Sequence, residues 1–458
     1  MAQIAEKPRK SEAAPAEVAP KKAAPEKPKV PEKETVVKGI RAIKDGPAML
    51  RLYMEVCAKC GTCADQCPVY YGAKEKRFNP ADRSDLIRAV YKNHETTLGK
   101  LLGGLVGARD YEEGEIKSWI DRFYECTGCR RCATFCPFGI DNSVITRKGR
   151  AIIHGLGLTP HRLIDVTNVS LETGNTDGCT REGFLDAISF LEEEIKEQCG
   201  VDVKIPVDVV GADYFYVPPS GDVLVNPEAT MGIAKVFHVL GLSWTMSSKC
   251  FDGANYGLFT GDDAAMKAEN KNYVEEAKRL KTKHLLPGEC GHAYRIFKHM
   301  MEKMKWWGEL PFDIQNVLEF TAGLVRDGKI TFDKSKNPEP VTYHDPCNFG
   351  RSCGIVDQPR IIMKAACEDF REMTPSGARN WCCGGGAGLS AMDSIRDFRM
   401  KVSGTKKVEQ VRETGAKFVA APCANCKRQL TQLMEHHGME DVKIGGVHDI
   451  VFNALVMD

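Results

Sequence analysis

The apolar positions of this chain change their period as it proceeds. Residues 1–36, "MAQIAEKPRKSEAAPAEVAPKKAAPEKPKVPEKETV", show no period: alanine, proline, lysine and glutamate offer little to bury, so a disordered tail is expected. From 37 to 150 helical spacing takes over, in stretches such as "DRSDLIRAVYKN" and "IKSWIDRFYEC". It continues through 151–204, where "REGFLDAISFLEEEIKEQ" sets Phe184, Ile188, Leu191 and Ile195 on one face of a connector helix. Beyond that, short apolar runs alternate with helical stretches, the texture of α/β units.

The α/β region repeats itself. "DVLVNPEATMG" pairs with "PVTYHDPCNFG", "SSKCFDGANYG" with "RNWCCGGGAG", and "HLLPGECGHAYR" with "FVAAPCANCKR". Each half then reads strand, helix, glycine loop, helix, strand, cysteine loop, helix, over 205–305 and 335–450. This pairing sets Glu228 opposite Cys347, Cys250 and Phe251 opposite Cys382 and Cys383, and Cys290 and Ala293 opposite Cys423 and Cys426. Only the second half keeps all five cysteines.

Composition adds one strong signal. The 458 residues suffice for two or three domains, and 63 basic against 62 acidic residues give no pull toward nucleic acid. Nineteen cysteines are the anomaly. An odd number, much of it in C-x-x-C runs with no signal-peptide core, favours cluster or metal ligation in a reducing compartment over a disulfide framework. The longest apolar run, "LLGGLVGA" at Leu101 to Ala108, is far too short to cross a membrane, so any membrane attachment is expected to go through a partner. There is also no G-x-G-x-x-G fingerprint and no C-x-x-C-H haem site, so electrons must come from another protein.

Cys57, Cys60, Cys63, Cys67 and Pro68 spell C-x-x-C-x-x-C-x-x-x-C-P, and Cys126, Cys129, Cys132, Cys136 and Pro137 repeat it. In two-cluster ferredoxins the fourth cysteine of each run ligates the other cluster. Cys57, Cys60, Cys63 and Cys136 are therefore expected to hold one cubane [4Fe-4S] cluster, and Cys126, Cys129, Cys132 and Cys67 the second. Zinc, the alternative, usually takes two C-x-x-C pairs. The long helical insertion between the runs suggests an α-helical ferredoxin domain.

"WCCGGGAG", Trp381 to Gly388, poses a different problem. A disulfide between neighbours would be strained, since bridged Cα atoms prefer about 5.5 Å and adjacent ones lie about 3.8 Å apart. Adjacent thiolates can instead grip one metal cluster while the glycines let the backbone close in.

A cysteine, then C-C-G, then C-x-x-C, behind a ferredoxin domain with two C-P motifs, resembles the heterodisulfide reductase D-like family and its DsrK-type members from dissimilatory sulfite-reduction membrane complexes. The resemblance runs from about residue 45 to the C-terminus, and glycolate-oxidase iron-sulfur subunits and the C subunit of anaerobic glycerol-3-phosphate dehydrogenase share the layout. It implies tandem α/β CCG modules after the ferredoxin domain. It also implies a noncubane [4Fe-4S] cluster on Cys347, Cys382, Cys383, Cys423 and Cys426, beside the two cubanes.

The resemblance further implies a quinol-oxidising membrane cytochrome b partner (DsrM-like), a place on the cytoplasmic face of the inner membrane, and a DsrC-like sulfur carrier reduced during sulfate or sulfite respiration. In the heterodisulfide reductase branch the substrate is the coenzyme M and coenzyme B heterodisulfide. The other class open to the same motifs is a passive wire serving a flavin dehydrogenase of glycolate or glycerol-3-phosphate. Reducing a disulfide takes two electrons and two protons. Cys290, on a predicted strand-end loop, is the candidate for sulfur exchange, and His292 and His344 are the candidates for proton delivery.

Overall fold

The computed structural model describes residues 33–457. Residues 1–32 of the expected tail lie outside the described residues. Helix already begins at Lys33, and Val36 and Ile40 are fully buried against the helix Pro80–Glu95, so 33–36 belong to the fold and not to the tail. Val36, Val37 and Ile40 supply one apolar face, which is enough to dock a short helix.

Among the described residues no strand occurs before Tyr214. The helix Pro80–Glu95 starts where Asn79 accepts a hydrogen bond from Ala81 N and Pro80 takes the first helical position. Its Leu86, Ile87 and Val90 share a core with Trp119 and Phe123 from the helix Ile116–Tyr124 and with Ile145, Ile152 and Ile153 from the helix Asn142–Gly155. Trp119 packs edge-on against Tyr111 and Phe123. This helical frame carries both ferredoxin-type loops. The connector helix, Arg181–Cys199, buries Phe184, Ile188, Leu191 and Ile195, and Phe184 stacks on Phe251 at 4.2 Å.

Two parallel four-stranded sheets follow. The first comprises β1 (Tyr214–Val217), β2 (Trp244–Thr245), β3 (His284–Pro287) and β4 (Asp313–Ile314) in the order β2-β1-β3-β4. The second comprises β5 (Val341–Tyr343), β6 (Phe370–Arg371), β7 (Phe418–Ala420) and β8 (Lys443–Gly445) in the order β6-β5-β7-β8. The same topology thus occurs twice. The helix Glu228–Val239 packs on the helix Val447–Ala454, and the helix Asp357–Ala366 packs reciprocally on the helix Val317–Arg326. Such exchange of equivalent contacts is the signature of two-fold pairing.

The structure corrects the repeat in detail. "DVLVN" is not a strand: β1 is the preceding Tyr214–Val217, stopped by Pro218 and Pro219, and Gly221–Leu224 is a helical turn. Counted from the strand ends, Val217 and Tyr343, the position equivalent to Cys347 is Gly221 and not Glu228. β2, β4, β6 and β8 escaped detection because two or three residues carry no readable period. The modules also run further than 305 and 450, the last helices ending at Arg326 and Ala454.

Candidate iron-sulfur sites and the cysteine-rich cleft

Cys57, Cys60, Cys63 and Cys136 line one cavity, and Cys67, Cys126, Cys129 and Cys132 line another. The fourth cysteine of each run therefore crosses to the other three. The two loops are wound alike: Lys59 and Gly61 flank Cys60 with positive φ, as Gly128 and Arg130 flank Cys129. Such turns aim backbone N–H groups inward, toward anionic ligands.

Burial pushes Cys63 and Cys67 up to about 11. Arg83, itself buried, lies beside Cys126, Cys67 and Cys132, and all nineteen cysteines are unbridged. Converging thiols with a buried cation alongside fit an iron-sulfur cluster held by thiolates. The first set lies near the surface, where Cys60 is exposed; the second is buried.

The five cysteines of the second module also converge. Cys347 lies four residues past β5, and Cys423 caps the helix Ala424–His436 just past β7 with Cys426 in its first turn. Cys383 and Cys426 place their sulfurs 3.5 Å apart, Cys382 touches Cys347 and Cys383, and Cys423 touches Cys426. The glycines have a steric reason. A Cβ on Gly384 (φ +93°) would lie 2.7 Å from Gly404 N, and one on Gly385 would lie 2.8 Å from Gln429.

Several buried polar atoms face this cleft without a partner. They include Nη2 of Arg351, which adjoins Cys129, Cys347 and Cys382, and both ring nitrogens of His344. Burial lowers the His344 imidazole, and the nearby Lys407 charge adds to the effect. Sulfur donors together with orphaned polar groups fit a bound metal-sulfur assembly.

The first module contributes Cys290, equivalent to Cys423 as the cap of the helix Gly291–Ile296. Its Sγ lies 3.2 Å from His292 Nδ1, while Asn255 N donates to His292 Nε2 at 3.2 Å. The ring proton is therefore assigned to Nδ1, facing the sulfur. His292 also reaches Cys423, so it stands between the two modules' cysteine loops.

The rest of the first module is filled with side chains. Phe251 stacks on Phe184, a Cβ on Gly253 would meet Ala293, Val217 and Phe297, and Cys250 turns toward Asn272 O. Gly221, Phe251 and Ala293 stand where the second module has sulfur.

Sequence reasoning offers Glu289 as a third candidate for proton delivery but misses Lys427, Asp222 and His448, the groups around it behind the cleft. Lys427, 1% exposed, donates to Asp222 Oδ1 at 2.6 Å and lies 3.8 Å from Glu289 Oε2, while Glu289 Oε1 accepts from His448 N and Nδ1 at 2.8 Å. Burial would raise Glu289, but the His448 hydrogen bonds and the Lys427 charge hold it below the ordinary carboxylate range. The only sequence signal was a charged residue beside each cysteine, in "PGEC" and "NCKR".

The second ferredoxin-type loop docks directly on the glycine loop. Cys129 touches Cys382, Arg351 Nε donates to Cys129 O at 2.6 Å, and Arg150 bridges Ala387 O and Cys126 O at 2.7 and 2.9 Å. A Cβ on Gly386 would fall 2.5 Å from Thr127 O. Gly386→Ala is therefore expected to destabilise the protein by about 1–3 kcal/mol through overpacking and to slow electron transfer between the two sites. Denaturant unfolding and freeze-quench EPR check the two effects. Beside this junction a cavity of about 310 Å³ is bordered by Cys126, Arg147, Arg150, Arg295, Asn348 and Ala387.

The family description "4Fe-4S dicluster domain" matches residues 53–140, and "Cysteine-rich domain" matches residues 341–431. An Archaeoglobus fulgidus protein, "Hdr-like menaquinol oxidoreductase iron-sulfur subunit 2", is 32% identical over 94% of this chain and 85% of its own length. The Archaeoglobus profundus "Hdr-like menaquinol oxidoreductase iron-sulfur subunit" is 30% identical over 94% of the chain and 84% of its own. The D subunit of the dihydromethanophenazine:CoB--CoM heterodisulfide reductase of Methanosarcina mazei is 27% identical over 91% of the chain and 97% of its own. No solved structure matches. With two ferredoxin-type cysteine sets, the second of them abutting a cysteine-rich cleft, and with similarity along nearly its whole length, the chain belongs to the family of Hdr-like oxidoreductase iron-sulfur subunits, homologous to the D subunit of heterodisulfide reductase.

Proposed function

We propose that this chain is the catalytic iron-sulfur subunit of a membrane-associated respiratory complex of the DsrK type. A quinol-oxidising cytochrome b partner (DsrM-like) supplies electrons, and the disulfide or trisulfide of a DsrC-like sulfur carrier is reduced, in sulfate or sulfite respiration. The chain would sit at the cytoplasmic face of the inner membrane. No described helix is long and apolar enough to cross a membrane, and attachment would run through the partner subunits. Two cubane [4Fe-4S] clusters on the ferredoxin-type sets and a noncubane [4Fe-4S] cluster on Cys347, Cys382, Cys383, Cys423 and Cys426 would supply one-electron storage and transfer.

The observation that carries the reading is the contact between Cys129 and Cys382, which, with Cys57 and Cys63 packed beside Cys132, lines up sulfur sites from exposed Cys60 to the cleft. Leu98, Leu101, Leu102 and Leu105 are exposed, and Gly107 just after them packs near Lys59 beside Cys60, an apolar flank suited to a partner at the entry point. The names of the two Archaeoglobus relatives specify menaquinol, and that of the Methanosarcina relative specifies a heterodisulfide.

The sulfur chemistry falls to Cys290 and His292. The Cys290 sulfur attacks one sulfur of RS–SR′, forming Cys290–S–SR and releasing R′SH with the Cys290 proton, while His292 Nδ1–H steadies the attacking sulfur. Two electrons and two protons then break the mixed disulfide, giving RSH and the Cys290 thiol. A trisulfide takes four electrons and four protons and also releases H₂S. Glu289, ionised and hydrogen-bonded to His448, is not the proton donor.

Chemically reduced chain mixed anaerobically with the trisulfide of a DsrC-like carrier should release thiols and sulfide. Cys290→Ser should lower that rate by about 100-fold or more with iron content unchanged. If the reduced chain passes electrons to a quinone but leaves the trisulfide intact, it is a conductor for a flavin dehydrogenase and the reading fails.

A further inference from the structure

His344 is 1% exposed, yet neither ring nitrogen has an oxygen or nitrogen partner, and the Cys383 sulfur is the group that approaches the ring. A buried polar atom left unpaired carries its full desolvation penalty, so the site calls for something to fill that coordination. The charged neighbours cannot fill it. Asp345 is held by Arg360 at 2.8 and 2.9 Å and accepts from Gly377 N, while Lys407 donates to Asn380 and Gln410, each at 2.6 Å. The backbone of His344 is pinned across the sheet, its N–H donating to Ala420 O at 2.9 Å, so the ring's position follows from the strands that also aim Cys347 and Cys423.

One donor atom each from His344, Cys383 and Cys426 lie within 4.8 Å of one another, and the two sulfurs are 3.5 Å apart. A tetrahedral metal with metal–sulfur bonds of about 2.3 Å and metal–nitrogen bonds of about 2.0 Å holds two sulfurs about 3.8 Å apart and a nitrogen about 3.5 Å from each. The repeat supplies an internal comparison. His344 is the first residue after β5, and the first residue after β1 is Pro218. The imidazole is thus missing from the module in which Gly221, Phe251 and Ala293 replace sulfur donors, and present in the module that keeps them all.

We propose that His344 is a metal ligand: a ring nitrogen binds the iron gripped by Cys383 and Cys426, in place of the proton-delivering role its sequence position suggests. The inference rests on reading the five cysteines as a cluster site. It makes that site a mixed sulfur and nitrogen donor set, which would separate it electronically from the two all-cysteine cubanes.

Pulsed EPR on the anaerobic full-length holoprotein, grown with natural-abundance or ¹⁵N-labelled histidine, tests the assignment without any mutation. The expected result is a directly bonded nitrogen coupling on the signal of the third centre that changes with the histidine isotope. It should persist in His292→Gln and vanish in His344→Gln, while the cubane signals stay in both. A third-centre signal with no histidine coupling, or with a coupling lost in His292→Gln, overturns the ligand assignment and leaves the five-cysteine site standing. About eight irons and no third signal would overturn both.

Discussion

Cys383→Ser is expected to remove the metal from the cysteine-rich cleft, taking about four of roughly twelve irons, while both ferredoxin-type centres stay loaded. The reason is geometric. Cys383 touches Cys382, Cys426 and His344, whereas the two ferredoxin cavities are lined by eight other cysteines. Losing a group that merely supports a ligand typically costs 10–100-fold in metal affinity or activity, so losing a donor should lower disulfide-dependent turnover by about 100-fold at least. Cys367→Ser is the matched control: Cys367 is equally buried but belongs to the hydrophobic core shared by the two modules. Iron analysis, EPR and turnover on the two variants separate the outcomes. Twelve irons and full turnover in Cys383→Ser would contradict a cluster at these five cysteines.

Lys427→Met is expected to lower stability by about 3–5 kcal/mol, because it strands the Asp222 carboxylate where water cannot reach it and leaves Glu289 with His448 alone. Lys427 sits one residue past Cys426 in the second module, and both of its acidic partners, Asp222 and Glu289, belong to the first. Oδ2 of Asp222 has no hydrogen-bond partner, so no other group takes over there once the ammonium is gone, whereas Glu289 keeps its two hydrogen bonds from His448. Adding Asp222→Asn should restore part of the loss by removing one stranded charge. Denaturant titration of the anaerobic holoprotein measures both. A loss under about 1 kcal/mol would show that the pair behaves like an exposed one and does not clamp the modules together.

The two kinds of site differed in how far the sequence disclosed them. Three cysteines of each ferredoxin-type set lie within one short loop, where spacing controls which sulfurs can converge, and the structure places Cys136 from the other run beside Cys57, Cys60 and Cys63. The connector face, Phe184, Ile188, Leu191 and Ile195, was readable for a similar reason, since one helix carries its own period. The α/β modules were readable as a repeat but not residue by residue. A helical turn, Gly221–Leu224, has the apolar content of a strand, and only the register of β1 against β3 identifies Gly221 as the counterpart of Cys347.

Local chemistry, then, was determined by the sequence: which residues carry sulfur, how they are spaced, and that one module keeps a full set while the other does not. Tertiary structure alone decided what each sulfur faces. Cys129 meets Cys382, His292 reaches Cys423, Lys427 pairs with Asp222 across 205 residues, and the His344 ring comes to lie beside two thiols. Spacing constrains atoms joined by a few bonds, whereas these contacts depend on two sheets and a helical domain packing together, and no short stretch of chain encodes that packing.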